Sequence, residues 1–444
     1  MFDFSSFLSN KAFITEDHHV YTYADLLGLS ERFSEHLVPR SLIFIGCENS
    51  LESIVAYVSC LRSGVVPLLL SRDVPDETLY HLEAIYHPRY CWFPSRRDLL
   101  VKGKEKYSLG GYSLIQYDGD SPVLPEGLAL LLTTSGSTGS PKLVRLSHDN
   151  LKSNACSIIE YLKITSSEKA ITSLPMYYSY GLSVLNSHLL AGATLLLTDK
   201  SYVQREFWKF VLEEKATSFA GVPFTYEILK KMRFEKFLPS SVKVMTQAGG
   251  KLNSSLIKYF SEYARLHDIR FYVMYGQTEA TARMSYLPAE YTLNKVGSVG
   301  VAIPGGHFSL IDEDGMRIVS PNVEGELVYE GSNVFWGYAE SLDDLFKGDE
   351  NKGILYTGDL AYVDSEGFYY ISGRKKRFLK LYGNRISLDF VESIVKDHCQ
   401  ECACVGSDDK LIVYVTDLDK IDSIKSVLSN RVLINPSAYE VRFI

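Results

Sequence analysis

An unbroken apolar run, Leu128-Ala129-Leu130-Leu131-Leu132, breaks abruptly into Thr133-Thr134-Ser135-Gly136-Ser137-Thr138-Gly139-Ser140-Pro141-Lys142. Glycines let successive backbone N–H groups turn toward one anion, as in a backbone nest. The hydroxyls add donors and the lysine adds a mobile positive charge. This is chemistry for holding a polyphosphate. The plainer reading, a polar linker, fits poorly, because a linker rarely follows directly from a continuous apolar strand. The spacing is not that of a Walker loop, and no G-x-G-x-x-G follows a strand, so a dinucleotide fold has no support.

Three further groups are weaker alone. Met274-Tyr275-Gly276-Gln277-Thr278-Glu279 ends a strand in glycine and sets a hydroxyl beside a carboxylate. Mg²⁺ takes such oxygen ligands and commonly bridges a carboxylate to substrate phosphates; a surface turn is the bland alternative. Tyr356-Thr357-Gly358-Asp359-Leu360 places an aspartate at a strand edge, able to accept from two vicinal hydroxyls. Gly373-Arg374-Lys375-Lys376-Arg377 is a basic knot followed by Lys380, Gly383 and Arg385, and by itself reads more readily as a solvated charge run.

The elements that must position these groups are legible as patterns. Ser41–Gly46 and Val65–Leu70 read as buried strands, with a helix over Leu51–Gly64 between them. The alternation recurs through Glu168–Ser173, Leu182–Leu190, Ala193–Thr198, Val203–Glu214, Ser218–Val222, Val242–Ala248 and Leu256–His267. Strands alternating with helices imply doubly wound, mostly parallel sheets covered on both faces, an α/β class. After about residue 285, glycine-rich turns separate short strands, Gly306–Ile311, Gly325–Glu330 and Phe368–Ser372, in a small, mostly β, barrel-like section. The basic knot is the candidate linker, which gives a large domain over 1–373 and a small α+β domain over 374–444.

Composition excludes several classes. The 444 residues carry 46 Lys and Arg against 54 Asp and Glu, a net charge of −8, which argues against nucleic-acid or anionic-membrane binding. No apolar run reaches the ~20 residues of a membrane span. The first residues lack a basic start and an apolar signal core, and seven cysteines is an odd number, so the expected compartment is the reducing cytoplasm. His398, Cys399, Cys402 and Cys404 could be read as zinc ligands, but no second ligand pair follows. A helix over 389–397 and a buried strand over Cys402–Val405 is the reading favoured here.

Taken together and in this order, the motifs resemble the acyl-adenylate-forming superfamily of acyl-CoA synthetases, peptide-synthetase adenylation domains and firefly-type luciferases. Thr134 to Lys142 resembles T-S-G-S-T-G-x-P-K, Tyr275 to Glu279 resembles Y-G-x-T-E, Tyr356 to Asp359 resembles Y-x-G-D, and Gly373 to Gly383 resembles G-R-x-[DK]-x-x-K-x-x-G. Thr22 to Leu26 and Ala248-Gly249-Gly250 add weaker matches, so the likeness spans nearly the whole chain. It implies that Thr134, Ser135, Gly136, Ser137, Thr138, Gly139 and Lys142 cradle the β- and γ-phosphates of ATP. Thr278 would touch the α-phosphate and Glu279 would hold Mg²⁺. Tyr275 and Gly276 on one side and Gly249 and Gly250 on the other would bracket adenine, and Asp359 with Arg374 would take the ribose. Lys376 falls on the family's hinge. The implied reaction is attack of a carboxylate on the α-phosphorus, release of pyrophosphate, and transfer of the acyl group to CoA or to the phosphopantetheine of an acyl carrier protein. Thr278, Glu279 and Lys142 are the expected catalytic residues.

Leu174 to Leu182 resembles the family's L-P-x-x-H-x-x-G acyl-pocket segment, with Tyr178 where many members have histidine. Tyr178, Ser179, Tyr180, Pro223 and Phe224 are the expected pocket walls. No aspartate lies in the segment to pair an ammonium, so an acyl or aryl acid is expected rather than an α-amino acid. Members usually close with a glycine-lysine whose lysine reaches the active site; Pro436 to Ile444 matches only the approach to it. Slow adenylation is the resulting expectation. Two alternatives stay open: a non-catalytic relative that binds nucleotide or acyl ligand, and an enzyme whose partner supplies the missing lysine or the thiol.

Overall fold

A computed structural model of the protein describes residues 1–95, 103–133, 142–375, 377–381, 384–399, 401–407, 410–430 and 436–444. The continuous apolar runs become central strands. Leu42–Cys47 is buried at all six positions, as a strand covered on both faces must be. Its register with Val66–Ser71 sets Ile45 against Leu69, and Leu68 in turn lies against Leu131 of Leu128–Thr133. These strands lie in an eight-stranded sheet with a parallel centre; the antiparallel pair Gly103–Leu109 and Tyr112–Tyr117 forms one edge and Gly337–Ala339 the other.

A second sheet of nine strands carries most of the expected site. Six strands run parallel in the order Arg270–Tyr275, Val244–Gln247, Ser218–Gly221, Lys169–Ile171, Thr194–Leu196, Lys11–Ile14. Antiparallel strands close both edges. Helices start where the sequence offers caps. Thr22 and Asp25 form a capping box for Tyr23–Ser34, and Ser147 and Asn150 do so for His148–Leu162. Gly64, at φ +69°, ends Leu51–Ser63 in the left-handed conformation that glycine adopts at least cost.

By packing, the chain divides into two compact units, Met1–His307 with Glu330–Leu355, and Phe308–Tyr329 with Tyr356–Ile444. The second unit holds most of a five-stranded sheet in the order Arg317–Ile318, Gly306–Ile311, Gly325–Gly331, Ile354–Val363, Tyr369–Arg374. It also contains the α+β segment, whose three strands Cys402–Ser407, Lys410–Val415 and Tyr439–Phe443 pack with Leu388–Lys396 and Ile421–Asn430 around Val391, Val395, Cys404, Val413, Ile424 and Leu428. The sequence boundary after residue 373 falls inside this unit, because Leu360 pairs with Gly373 and Asp359 with Arg374.

Candidate active site

The acyl-pocket segment enters through a turn in which Tyr178 N donates to Pro175 O at 3.1 Å, and the helix Ser179–Leu190 follows. Gly181 is required there, since a Cβ would collide with the Pro175 carbonyl. The Tyr180 hydroxyl and Thr246 Oγ1 are 2.8 Å apart, which ties the helix to the strand Val244–Gln247. Beyond that strand Gly249 adopts φ +81°, and a side chain at it would strike the Tyr178 hydroxyl. A Cβ at Gly250 would sit 3.1 Å from Pro223 Cγ, so Tyr178, Gly249, Gly250 and Pro223 form one tight group. Burial pushes the Tyr178 phenol up, so it remains a neutral hydrogen-bonding group. Phe224 does not join it: Pro223 starts the helix Pro223–Lys231 and the next side chain faces outward, 60% exposed.

Ser179 Oγ lies 3.1 Å from Thr278 Oγ1, which brings the acyl segment against the expected α-phosphate residue. The loop carrying Thr278 is fixed by backbone geometry. Gly276 passes so close to Ala282 O that no Cβ fits, and Thr281 turns through φ +66° while its hydroxyl donates to Asn333 O at 2.7 Å. Phe335 N donates to Glu279 O at 2.9 Å, and the Tyr338 hydroxyl donates to Glu279 Oε1 at 2.6 Å. Gln277 Nε2 donates to the Tyr275 hydroxyl at 3.2 Å.

Lys142 is paired with Glu340 at 2.7 Å and lies 5.5 Å from the centre of the Tyr338 ring. The strand Gly337–Ala339 therefore touches both the expected phosphate lysine and the expected metal carboxylate. Arg145, wholly buried, holds that strand. It donates to the carbonyls of Trp336, Tyr338, Lys347 and Gly348 and pairs with Glu350. Sequence reading missed Tyr338, Glu340 and Arg145, since the partner of Tyr338 lies 59 positions away, those of Glu340 and Arg145 about two hundred, and no local pattern marks them.

In the second unit Asp359 is buried and pairs with Arg374 Nε at 2.9 Å, while Arg374 remains largely exposed. The backbone N–H of Asp359 donates to Thr357 Oγ1 at 3.1 Å. A buried carboxylate can accept hydrogen bonds from the hydroxyls of a diol, and the exposed guanidinium beside it can donate to their oxygens. Arg377 pairs with Asp389 and Glu392 at 2.6 and 2.7 Å. The loop residues Thr134, Ser135, Gly136, Ser137, Thr138 and Gly139, and the hinge residue Lys376, lie outside the described residues.

The residues present fit Mg²⁺. Glu279 sits beside the Thr278 hydroxyl, and no basic side chain among the described residues pairs with its carboxylate. No cluster of three or more His, Cys, Asp or Glu able to hold a metal occurs among the described residues. Cys399 and Cys404 are buried in the small core, Cys402 is half-buried with its thiol pushed up to about 11 by burial, and all seven cysteines are unpaired thiols.

Behind the acyl segment lies a small cavity of about 20 Å³, lined by Val184, His188, Ala220, Thr246, Arg283 and Glu168 among others. His188 Nδ1 lies 2.8 Å from Val184 O, and burial lowers its pKa to about 4, so the ring is neutral at pH 7. Arg283 is 2% exposed and was not foreseen from sequence.

Residues 6–339 match the AMP-binding enzyme family. The chain is 32% identical over 427 residues to a 2-succinylbenzoate–CoA ligase of Bacillus cereus, covering 91% of this chain and 86% of that protein. It is 26% identical over 411 residues to the protein of that name from Bacillus subtilis, covering 90% and 82%. Among solved structures, the O-succinylbenzoate coenzyme A synthetase of Bacillus subtilis in complex with AMP superimposes with a TM-score of 0.79 at 23% identity, covering 98% of this chain and 92% of that one. Its complex with ATP and magnesium ion gives 0.77, also at 23% identity and the same coverage. These likenesses establish the fold.

Proposed function

The chain belongs to the AMP-binding enzyme family and is an AMP-forming acid–thiol ligase; from that premise we propose that it joins a 2-succinylbenzoate-type aryl acid to CoA. The relatives' names supply the acid and the thiol, and CoA is preferred to a carrier protein on the same ground. The observation that carries the reading is the 3.1 Å approach of Ser179 to Thr278. It supports an acid bound along Tyr178, Ser179 and Tyr180 meeting the α-phosphate of ATP at Thr278.

The chain's own residues then have distinct tasks. Thr278 donates to the α-phosphate, where negative charge rearranges as the carboxylate attacks. Lys142 leaves Glu340 to neutralise the outgoing pyrophosphate, and the segment Thr134–Gly139 contributes further donors. Glu279 holds Mg²⁺, which when bound offsets phosphate charge. Gly249, Gly250, Tyr275 and Gly276 shape the base site, and Asp359 with Arg374 holds the ribose. Such catalysis is mostly positioning and charge neutralisation, so it needs no nucleophilic side chain. We also propose residues 1–373 and 374–444 as the two domains of the chain, with Lys376 at the family's hinge position. Free thiols at all seven cysteines support a reducing, cytoplasmic setting, and no helix among the described residues is long and apolar enough to cross a membrane.

The test is ATP-dependent formation of the CoA thioester from 2-succinylbenzoate, with AMP and pyrophosphate as co-products. Acid-dependent exchange of labelled pyrophosphate into ATP, run across a panel of acids, separates the first half-reaction. Exchange with α-amino acids but not with aryl acids would overturn the assignment.

A further inference from the structure

Arg283 is a buried charge that pairs with no carboxylate among the described residues. Its Nε donates to Ser183 Oγ at 3.0 Å, and its Nη1 donates to the Tyr161 hydroxyl at 3.0 Å and approaches Met274 Sδ at 3.5 Å. Its guanidinium carbon lies 5.1 Å from the centre of the Tyr180 ring. Nη2 has no acceptor among the described residues. Glu168 stands on the wall of the same cavity, but its carboxylate accepts from the Thr217 hydroxyl. A guanidinium taken out of water and left with neutral hydroxyls, a sulfur and a ring is costly, and a bound anion would remove most of that cost.

The position suits such an anion. Ser179 and Ser183 are one turn apart on the helix Ser179–Leu190. Ser179 touches Thr278, where the acid is activated, and Ser183 touches Arg283. Four residues of helix advance about 6 Å. In a benzoylpropionate carrying an ortho carboxylate, six bonds separate the two carboxyl carbons, roughly 6–7 Å at ordinary bond lengths. The ring lying between them would run past Tyr180 and Thr246, whose hydroxyls are paired at 2.8 Å. The cavity of about 20 Å³ has room for about one water, the size of a seat for a carboxylate oxygen rather than for a whole acid.

We propose that Arg283 receives a second carboxylate of the acid substrate, remote from the one being activated, and so makes this enzyme selective for dicarboxylic aryl acids. This rests on the acid-activating reading of the Ser179–Thr278 site. Arg283 acts on specificity and touches neither phosphate nor the reacting carboxyl.

The experiment compares kcat/KM for CoA-thioester formation from 2-succinylbenzoate and from 4-oxo-4-phenylbutanoate, the same skeleton without the ring carboxylate. The native enzyme should prefer the diacid about 10- to 100-fold, mainly through KM, as expected for a lost charge-assisted hydrogen bond. Arg283→Met should collapse the ratio to within about threefold, and Arg283→Lys should keep part of it. A merely structural arginine would lower activity on both acids and leave the ratio unchanged. If the native enzyme uses the diacid but Arg283→Met keeps the full preference, the inference fails while the proposed function stands. If neither acid is used, the proposed substrate fails, and the same ratio is read on whichever monoacid and diacid pair supports pyrophosphate exchange. If Arg283→Met does not fold, Arg283→Gln is read in its place. If neither folds, the native ratio decides, and near-equal use of the two acids overturns the proposal.

Discussion

His188 gives the sharpest quantitative prediction for the body of the protein. Its ring is buried beside Val184 and Arg283, with Nδ1 2.8 Å from a backbone carbonyl. Burial is the largest influence and lowers its pKa from 6.5 to about 4; the Val184 contact opposes this and the Arg283 charge adds to it. Between those two values the unfolded chain binds a proton that the folded chain refuses, so stability must rise with pH across that window. The contribution is fully present above pH 6.5 and is lost as pH falls toward about 4. Linkage puts the loss at about 2 kcal/mol by pH 5 and about 3 kcal/mol by pH 4. His188→Gln removes the titration while keeping a group that can bond the same carbonyl. All three tryptophans, Trp92, Trp208 and Trp336, lie in the first unit, so their fluorescence in urea titrations follows the unit that contains His188. The difference in unfolding free energy between native and variant should change by about 2 kcal/mol between pH 7.5 and pH 5, the native protein losing more. Parallel pH profiles for the two proteins would refute the argument, whatever the absolute stabilities.

Three other outcomes are expected. Asp359→Ala should abolish most of the rise in melting temperature that ATP with Mg²⁺ produces in the native protein, because a ligand stabilises only through the contacts it makes to the folded state; an unchanged rise would remove Asp359 from the ribose site. Glu279→Gln keeps the shape and the Tyr338 contact but loses the charge for the metal, so pyrophosphate exchange should fall steeply at limiting Mg²⁺ and recover in part at high Mg²⁺; equal exchange at every Mg²⁺ concentration would exclude the role. Gly276→Ala drives a methyl into the Ala282 carbonyl and should destabilise the first unit by about 1–3 kcal/mol, measured by denaturant unfolding at pH 7.5; a shift under about 0.5 kcal/mol would mean the loop yields freely.

Much of the fold was readable because single segments announced themselves. Leu42–Cys47 is apolar at nearly every position, as a doubly covered parallel strand has to be, and the observed helix Leu388–Lys396 and strand Cys402–Ser407 lie close to the pattern read at the end of the chain. The antiparallel pair Gly103–Leu109 and Tyr112–Tyr117 escaped notice because its outer strand is mostly exposed and carries Lys104, Glu105 and Lys106, which hide the period of two. Motif residues stood out for a related reason: Thr278 and Glu279 follow the end of Arg270–Tyr275 across Gly276, whereas Asp359, read as standing at a strand edge, lies inside the strand Ile354–Val363 next to Gly358 at φ +70°.

What stayed hidden depends on long-range pairing. Arg145 looks like an ordinary charge within Leu143–Ser147, and only its pairing with Gly337–Ala339 buries it and turns it toward five backbone and carboxylate acceptors. That pairing then delivers Tyr338 to Glu279 and Glu340 to Lys142. Arg283 follows the same logic with the opposite outcome. Arg283 stands four residues after Glu279, and a charged side chain is ordinarily found at the surface. The left-handed turn at Thr281 instead sends it inward, under the helix Ser179–Leu190, to Ser183 and Tyr161. Arg145 found its carboxylate in Glu350 and Arg283 found none among the described residues. Both are buried guanidiniums in one unit, so the difference between them separates an arginine that holds the fold together from one whose counter-charge must arrive with a ligand.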